Sequence, residues 1–238
     1  MPTPVHYVPI LTTLVAALFA PVIFRRWRRR RPAPHLFWWC LGVAAFGVGT
    51  LTESITTLFG WSEPVFRAWY ISGALLGGAP LAQGTVYLLL PRKVADRLTV
   101  ALLTVIAVAS ALVLLSPIDH DAVEAHRLTG QVMEWRRARL VSPFINLYAA
   151  GFLIGGAIFS AWRFRRDPTA RDRFLGNCFI AVGALLPGIG GTSARFGHTE
   201  VLYVTELVGL SLIWLGYHFN VRSPVRGAPT AKAGVTEE

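Results

Sequence analysis

Apolar positions along this chain fall in long runs, without the short alternation of a half-buried strand or surface helix. The runs cover roughly 5 to 24, 36 to 58, 66 to 90, 98 to 117, 142 to 162, 174 to 194 and 201 to 219, each near the 20 or so residues a helix needs to cross a bilayer core. The fourth, LTVALLTVIAVASALVLL, contains no charged residue. In lipid a segment must satisfy its own backbone donors, so runs of this length fold as helices; barrel strands are shorter and alternate in polarity. The pattern predicts an all-α polytopic membrane protein of seven transmembrane helices. The first run carries no Lys or Arg and precedes RRWRRRR, the reverse of a signal peptide's charge order, so it is expected to stay as the first helix.

Composition agrees. Charged residues make up 15% of the 238, against about 25% in soluble domains, and 53% are apolar. A net charge of +10 on a soluble face would point to nucleic acid, but here the basic residues lie between apolar runs, so nucleic acid is not an expected partner. With the N-terminus outside, 17 of the 23 Lys and Arg fall on cytoplasmic segments (Arg25 to Arg31, Arg92 to Arg97, Arg163 to Arg173 and the C-terminal tail). The positive-inside rule therefore predicts N-out, C-in in the plasma (inner) membrane. Cys40 and Cys178 then sit near the reducing side and read as small apolar residues, with no disulfide expected.

The chain also resembles itself. RRWRRRRPAPHLFWWC, ending at Cys40, aligns with RFRRDPTARDRFLGNC, ending at Cys178, and GVGTLTESITTLFGWSEP aligns loosely with GIGGTSARFGHTEV. Phe59, Gly60 and Glu63 then fall on Phe196, Gly197 and Glu200. This predicts a single membrane domain over 1–219: repeat 1 at about 5–90, a linker helix at about 98–117, an outer loop at about 118–141 and repeat 2 at about 142–219, followed by a disordered cytoplasmic tail over 220–238. The fourth helix restores the starting side, so the repeats are parallel. The layout resembles the 3+1+3 architecture of SWEET and PQ-loop transporters and, more distantly, opsin-like seven-helix proteins. WSEPVFRAWYISGALL with GTVYLLLPRKVADR, and FIAVGALLPGIGGTSARFG, are similar to segments of bacterial seven-helix proteins of actinobacterial type, a family without an assigned activity. No Pro-Gln dipeptide marks a helix kink, although Pro80 and Pro187 fall inside spans.

Ionisable groups inside spans are costly and therefore candidates for function. Glu53 in the second span and Glu206 in the seventh come out at similar depths in the outer half, and Arg67 and Arg195 lie nearer the same interface. Four charges of balanced sign could pair and line a vestibule, with Asn146, Tyr70, Tyr148 and Ser72 adding hydrogen-bonding groups; the alternative is ion pairing that only fixes packing. Gly42, Gly47 and Gly49, and Gly183, Gly188, Gly190 and Gly191, suit close helix packing or a hinge. In the outer loop His120, Glu124 and His126 are weak metal-ligand types without a zinc spacing, so no metal and no cofactor are expected. There is no nucleophile elbow or P-loop, and the seventh span has no Lys for a retinal Schiff base, so an enzyme is not expected.

The leading expectation is a small-molecule transporter with an outer-half polar site. A ligand-sensing receptor acting through a partner, or a non-catalytic subunit of a membrane complex, are the alternatives. Expected partners are the lipid bilayer, a small-molecule ligand, and a protein partner or second copy of the chain.

Overall fold

The computed structural model describes residues 4–222. The expected tail lies outside the described residues from 223 onward, and Asn220, Val221 and Arg222 complete the last helix. In chain order the helices are α1 (Val8–Arg29), α2 (Pro34–Phe59), α3 (Glu63–Trp69), α4 (Ala79–Leu89), α5 (Arg92–Leu115), α6 (Arg136–Ala149), α7 (Gly155–Phe164), α8 (Arg171–Arg195) and α9 (Thr199–Arg222). A π-helical segment, Tyr70–Leu75, continues α3, and a second, Ala150–Ile154, joins α6 to α7. The described residues thus make seven rods, all helical, and six of these rods are long and apolar enough to cross a membrane.

The third expected span, 66 to 90, is the one that departs from a continuous helix. Leu76 N–H bonds the Ile71 carbonyl at 3.0 Å, a π-type closure, and the helix stops at a turn through Gly77 and Gly78. Pro80 lacks the N–H an unbroken helix would need, but it fits the first turn of a new one, and α4 starts there. The broken rod still runs the length of the bundle. At one end the Arg67 guanidinium reaches the Ser116 carbonyl at 2.9 Å, just past α5; at the other, Tyr87 Oη lies 3.0 Å from Thr99 Oγ1, in the second turn of α5.

Packed neighbours form a ring: α2, α1, α9, α8, the α6–α7 rod, the α3–α4 rod and back to α2, with α5 against the outside of the third and fifth rods. Phe19, Ile23, Val43, Leu81, Leu153 and Leu210 fill the ring. A second core of Phe66, Leu102, Val113, Val132, Met133 and Ile145 lies between α5 and its neighbours, under the 116–135 loop.

Helix seams are set by glycine. An added Cβ on Gly183 would lie 2.6 Å from the Gly209 carbonyl, and one on Gly216 would lie 2.4 Å from the Gly176 carbonyl, so α8 and α9 touch backbone to backbone. Gly42 meets Leu81 on α4, and Gly47 meets Ala16 on α1. Gly188 and Gly191, expected to pack likewise, face open space. Gly60 (φ 86°) and Gly197 (φ 97°), the two positive-φ glycines among the described residues, each close a long helix behind an exposed Phe. No Cβ-bearing residue holds such a backbone without strain.

Candidate functional site at the loop end of the bundle

The site begins with a polar stretch in α2. Thr50, Thr52, Glu53, Ser54, Thr56 and Thr57 are all buried. Most of the hydroxyls are spent locally: Thr52 donates to the Gly49 carbonyl at 2.6 Å, Ser54 to Thr50 at 2.8 Å and Thr56 to Thr52 at 3.0 Å. Thr50 and Thr57 also tie α2 to the first rod, through Thr13 Oγ1 at 2.9 Å and the His6 carbonyl at 3.1 Å. Glu53 has no such local outlet. Its Oε1 accepts from Trp69 Nε1 at 2.9 Å, while its Oε2 is buried without a donor.

Glu206 on α9 faces Glu53, carboxyl to carboxyl. Its Oε2 is likewise buried without a donor. The α8–α9 seam sets its position: a Cβ on Gly190 would lie 2.0 Å from Thr205 Oγ1, the residue before Glu206, and the Thr205 hydroxyl donates back to the Val201 carbonyl at 2.7 Å. Buried Tyr203 lies beside both acids and stacks edge-on against His6 at 6.0 Å. Among the described residues the ion pairs are Arg67–Glu63, Arg92–Asp96 and Arg127–Glu124, so neither intramembrane acid has a cationic partner. Carboxyl oxygens outnumber donors here, and what the site lacks is a proton or a small cation.

The loop from 116 to 135 covers this end. Its base is closed by Asp119 N–H to the Val132 carbonyl at 2.8 Å and Glu134 N–H to the Pro117 carbonyl at 3.1 Å. Its middle is bonded to two rods: Trp61 N–H to the Ala125 carbonyl at 2.8 Å, His126 Nδ1 near the Thr56 carbonyl at 3.4 Å, and Arg127 to the Ala194 carbonyl at 3.1 Å. The turn around Gly130 closes on the face of Tyr70, 2.8 Å from where a Cβ would stand.

The expected four-charge vestibule is not what the side chains build. Arg67 bonds Glu63 at 2.6 Å and caps the end of α5, away from Glu53. Arg195 is exposed at the end of α8. Asn146 is exposed on α6, because the helical period that buries Ser142, Ile145 and Ala149 turns it outward. Tyr70 is buried with its hydroxyl 3.3 Å from Ser142 Oγ, and Ser72 donates to the Ala68 carbonyl at 2.6 Å. The metal-ligand types are dispersed as well: His120 meets Trp61 edge to face, Glu124 pairs with Arg127, and His126 meets Thr56. No group of three ligand side chains forms among the described residues.

Tyr148 belongs to a separate network toward the other end. It donates to Gln83 Oε1, and the fully buried Gln83 amide donates to Thr99 Oγ1 at 2.7 Å and the Ala95 carbonyl at 3.1 Å. Thr99 adjoins Tyr87, which donates to Asp96 at 2.7 Å, and Asp96 pairs with Arg92. The chain of contacts links the third, fourth and fifth rods. Counting only charged residues inside spans overlooks Gln83, although an amide in mid-span is itself a signal. Trp69 gives no sequence signal, since it meets Glu53 only through the pairing of α2 with α3.

No family model, curated protein or solved structure matches this chain. The site's chemistry is therefore read from its own residues. The chain is a multi-helix protein suited to the bilayer, with a buried carboxyl pair under a closed loop.

Proposed function

We propose that this protein is a small-molecule transporter in which Glu53 and Glu206 bind a proton or small cation that moves with the solute. The observation that carries the reading is the facing pair of buried carboxyl groups, each with an oxygen that has no donor. Charge in a span is costly, and two acids without a basic partner hold together only through a shared proton or cation. The pair also joins two helices that are not neighbours in the ring. α9 is locked to α8 and α2 to the third rod, while α1 packs between α2 and α9, so the acids meet across the interior. Movement of α9 with α8 relative to α2 would open the pair to one side.

The arginine-rich end is read as cytoplasmic by the positive-inside rule, which puts the carboxyl pair and its loop on the outer side. The equivalence of Gly60 and Gly197, each at positive φ behind an exposed Phe, supports a parallel duplication with α5 as the linker. Parallel repeats are one of the frameworks on which alternating access is built.

The test uses the full chain in proteoliposomes on a solid-supported membrane, challenged with jumps of amino acids, sugars, organic acids and amines, and with sodium and pH. We expect a charge movement for at least one solute class, absent in Glu53→Gln and Glu206→Gln while both variants keep the wild-type unfolding profile in detergent. Full response in both variants, or no response and no cation-dependent stabilisation of the wild type, would overturn the proposal.

A further inference from the structure

The arginine-rich end carries a corner where exposed aromatic rings and unpaired cations meet. α1 turns from apolar to basic after Phe24, so Phe24 to Arg31 stand where hydrocarbon gives way to headgroups. Three rings form a row there across the α1–α2 hairpin: Phe24 to Trp27 at 5.6 Å between centroids, and Trp27 to Phe37 on α2 at 5.4 Å. Phe24 and Phe37 are exposed and Trp27 is half-buried. The exposed Arg31 lies over the Trp27 ring, its guanidinium carbon 4.1 Å from the centroid. Such a contact restrains the side chain and leaves its N–H donors for an acceptor. Arg28, one turn after Phe24, is exposed on the same face of α1.

No acid of the hairpin neutralises this corner. From the N-terminus to Thr52 the sequence holds six Arg and no Asp or Glu, and none of the six joins an ion pair among the described residues. The acids at this end lie on other rods: Asp96 is bonded to Arg92 and Tyr87, Asp167 caps the turn before α8, and Asp172 stands in the first turn of α8. The second half of the chain has a similar stack, Arg165 over Trp162 at 4.4 Å, but Arg165 spends a donor on the Trp162 carbonyl at 2.9 Å. Arg31 makes no such bond among the described residues. A zwitterionic headgroup would set its own ammonium against these arginines, and a soluble polyanion would leave the exposed rings without a partner. An anionic phospholipid satisfies both, with a phosphate for the guanidinium and acyl chains for the rings.

We infer that Trp27 and Arg31, flanked by Phe24 and Phe37, form a binding site for an anionic phospholipid, with Arg31 on the headgroup phosphate and the rings against the upper part of its chains. The site is independent of the transporter reading, because its test reads lipid binding and needs no transport.

The test is native mass spectrometry of the full chain released from nanodiscs of mixed phosphatidylcholine and phosphatidylglycerol, reading which lipid stays bound. We expect the wild type to retain phosphatidylglycerol in preference, and Arg31→Gln and Trp27→Leu each to lower that preference about fivefold or more, the effect of one basic residue at the headgroups. Arg97→Gln removes an exposed cation from the same end, on α5, and should leave the preference unchanged. Arg31 is exposed, so Arg31→Gln should unfold like the wild type in pure phosphatidylcholine, which separates lost binding from lost fold. No preference in the wild type, or one that Arg97→Gln lowers as far as Arg31→Gln does, overturns the inference and leaves a diffuse basic surface. Loss of the retained lipid to inorganic phosphate at constant ionic strength would assign the corner to a free oxyanion and overturn the lipid site.

Discussion

The α8–α9 seam allows a sharp test, because two glycines a few residues apart on α8 differ in what surrounds them. A Cβ on Gly183 would meet the Gly209 carbonyl at 2.6 Å and the Ile213 backbone nitrogen at 3.0 Å. These are backbone atoms of the partner helix, so no rotamer change relieves the clash and the helices must part. Overpacking of this kind costs about 1–3 kcal/mol, against which alanine's better helix propensity returns up to about 1 kcal/mol. Gly188, by contrast, has nothing within 4 Å of its added Cβ, so Gly188→Ala gains only propensity. The two variants should therefore differ by about 2 kcal/mol, a gap of several degrees in Tm for a chain of this size. Differential scanning fluorimetry of both in one detergent measures it directly. If Gly183→Ala unfolds at or above the temperature of Gly188→Ala, the tight seam is wrong. The position of Glu206, which rests on that seam one residue beyond Thr205, would fall with it.

Other sites carry their own expectations. Gln83→Leu keeps the volume but strips Tyr148 and Thr99 of a partner inside the bundle, a loss of about 1–3 kcal/mol that should be strongly non-additive with Tyr148→Phe in a double-mutant cycle on thermal stability. Gly60→Ala and Gly197→Ala force a Cβ into positive φ and should each cost about 1–2 kcal/mol; equal costs at the two turns would fit the duplication, and a neutral effect at either would contradict the backbone described here.

Hydrophobic run length carried most of the architecture, because in lipid the backbone leaves a 20-residue apolar segment few options other than helix. What it missed depends on local and lateral detail. The break at Leu76–Gly78 follows from two glycines and Pro80 within one apolar run, which a hydropathy window averages away. Glu53 and Glu206 stood out as ionisable residues in spans, but their partners did not. Depth along each helix placed Arg67 and Asn146 near them, whereas rotation about the helix axis decides contact, and that rotation is fixed by neighbours. Arg67 turns to Glu63 one turn away on its own helix, and Asn146 turns outward because its α6 neighbours Ser142, Ile145 and Ala149 are buried.

The carboxyl pair is hard to explain as a packing device. The chain ties helices together elsewhere by cheaper means: glycine seams between α8 and α9, hydroxyl pairs such as Thr13 with Thr50, and the Gln83 amide between three rods. A carboxamide at position 53 or 206 would supply the donor that both unpartnered oxygens lack, at nearly the same volume. Two acids thus hold α2 against α9 only through a proton or cation taken up between them. They meet across the interior of the ring, and hydrogen bonds at Ala125, His126 and Arg127 tie the covering loop to the link after α2, to α2 and to α8. A contact across the interior, if it is made through an ion, can change with ion occupancy while the α8–α9 and α1–α2 seams stay closed. That coupling is what the proposed transport requires of this fold.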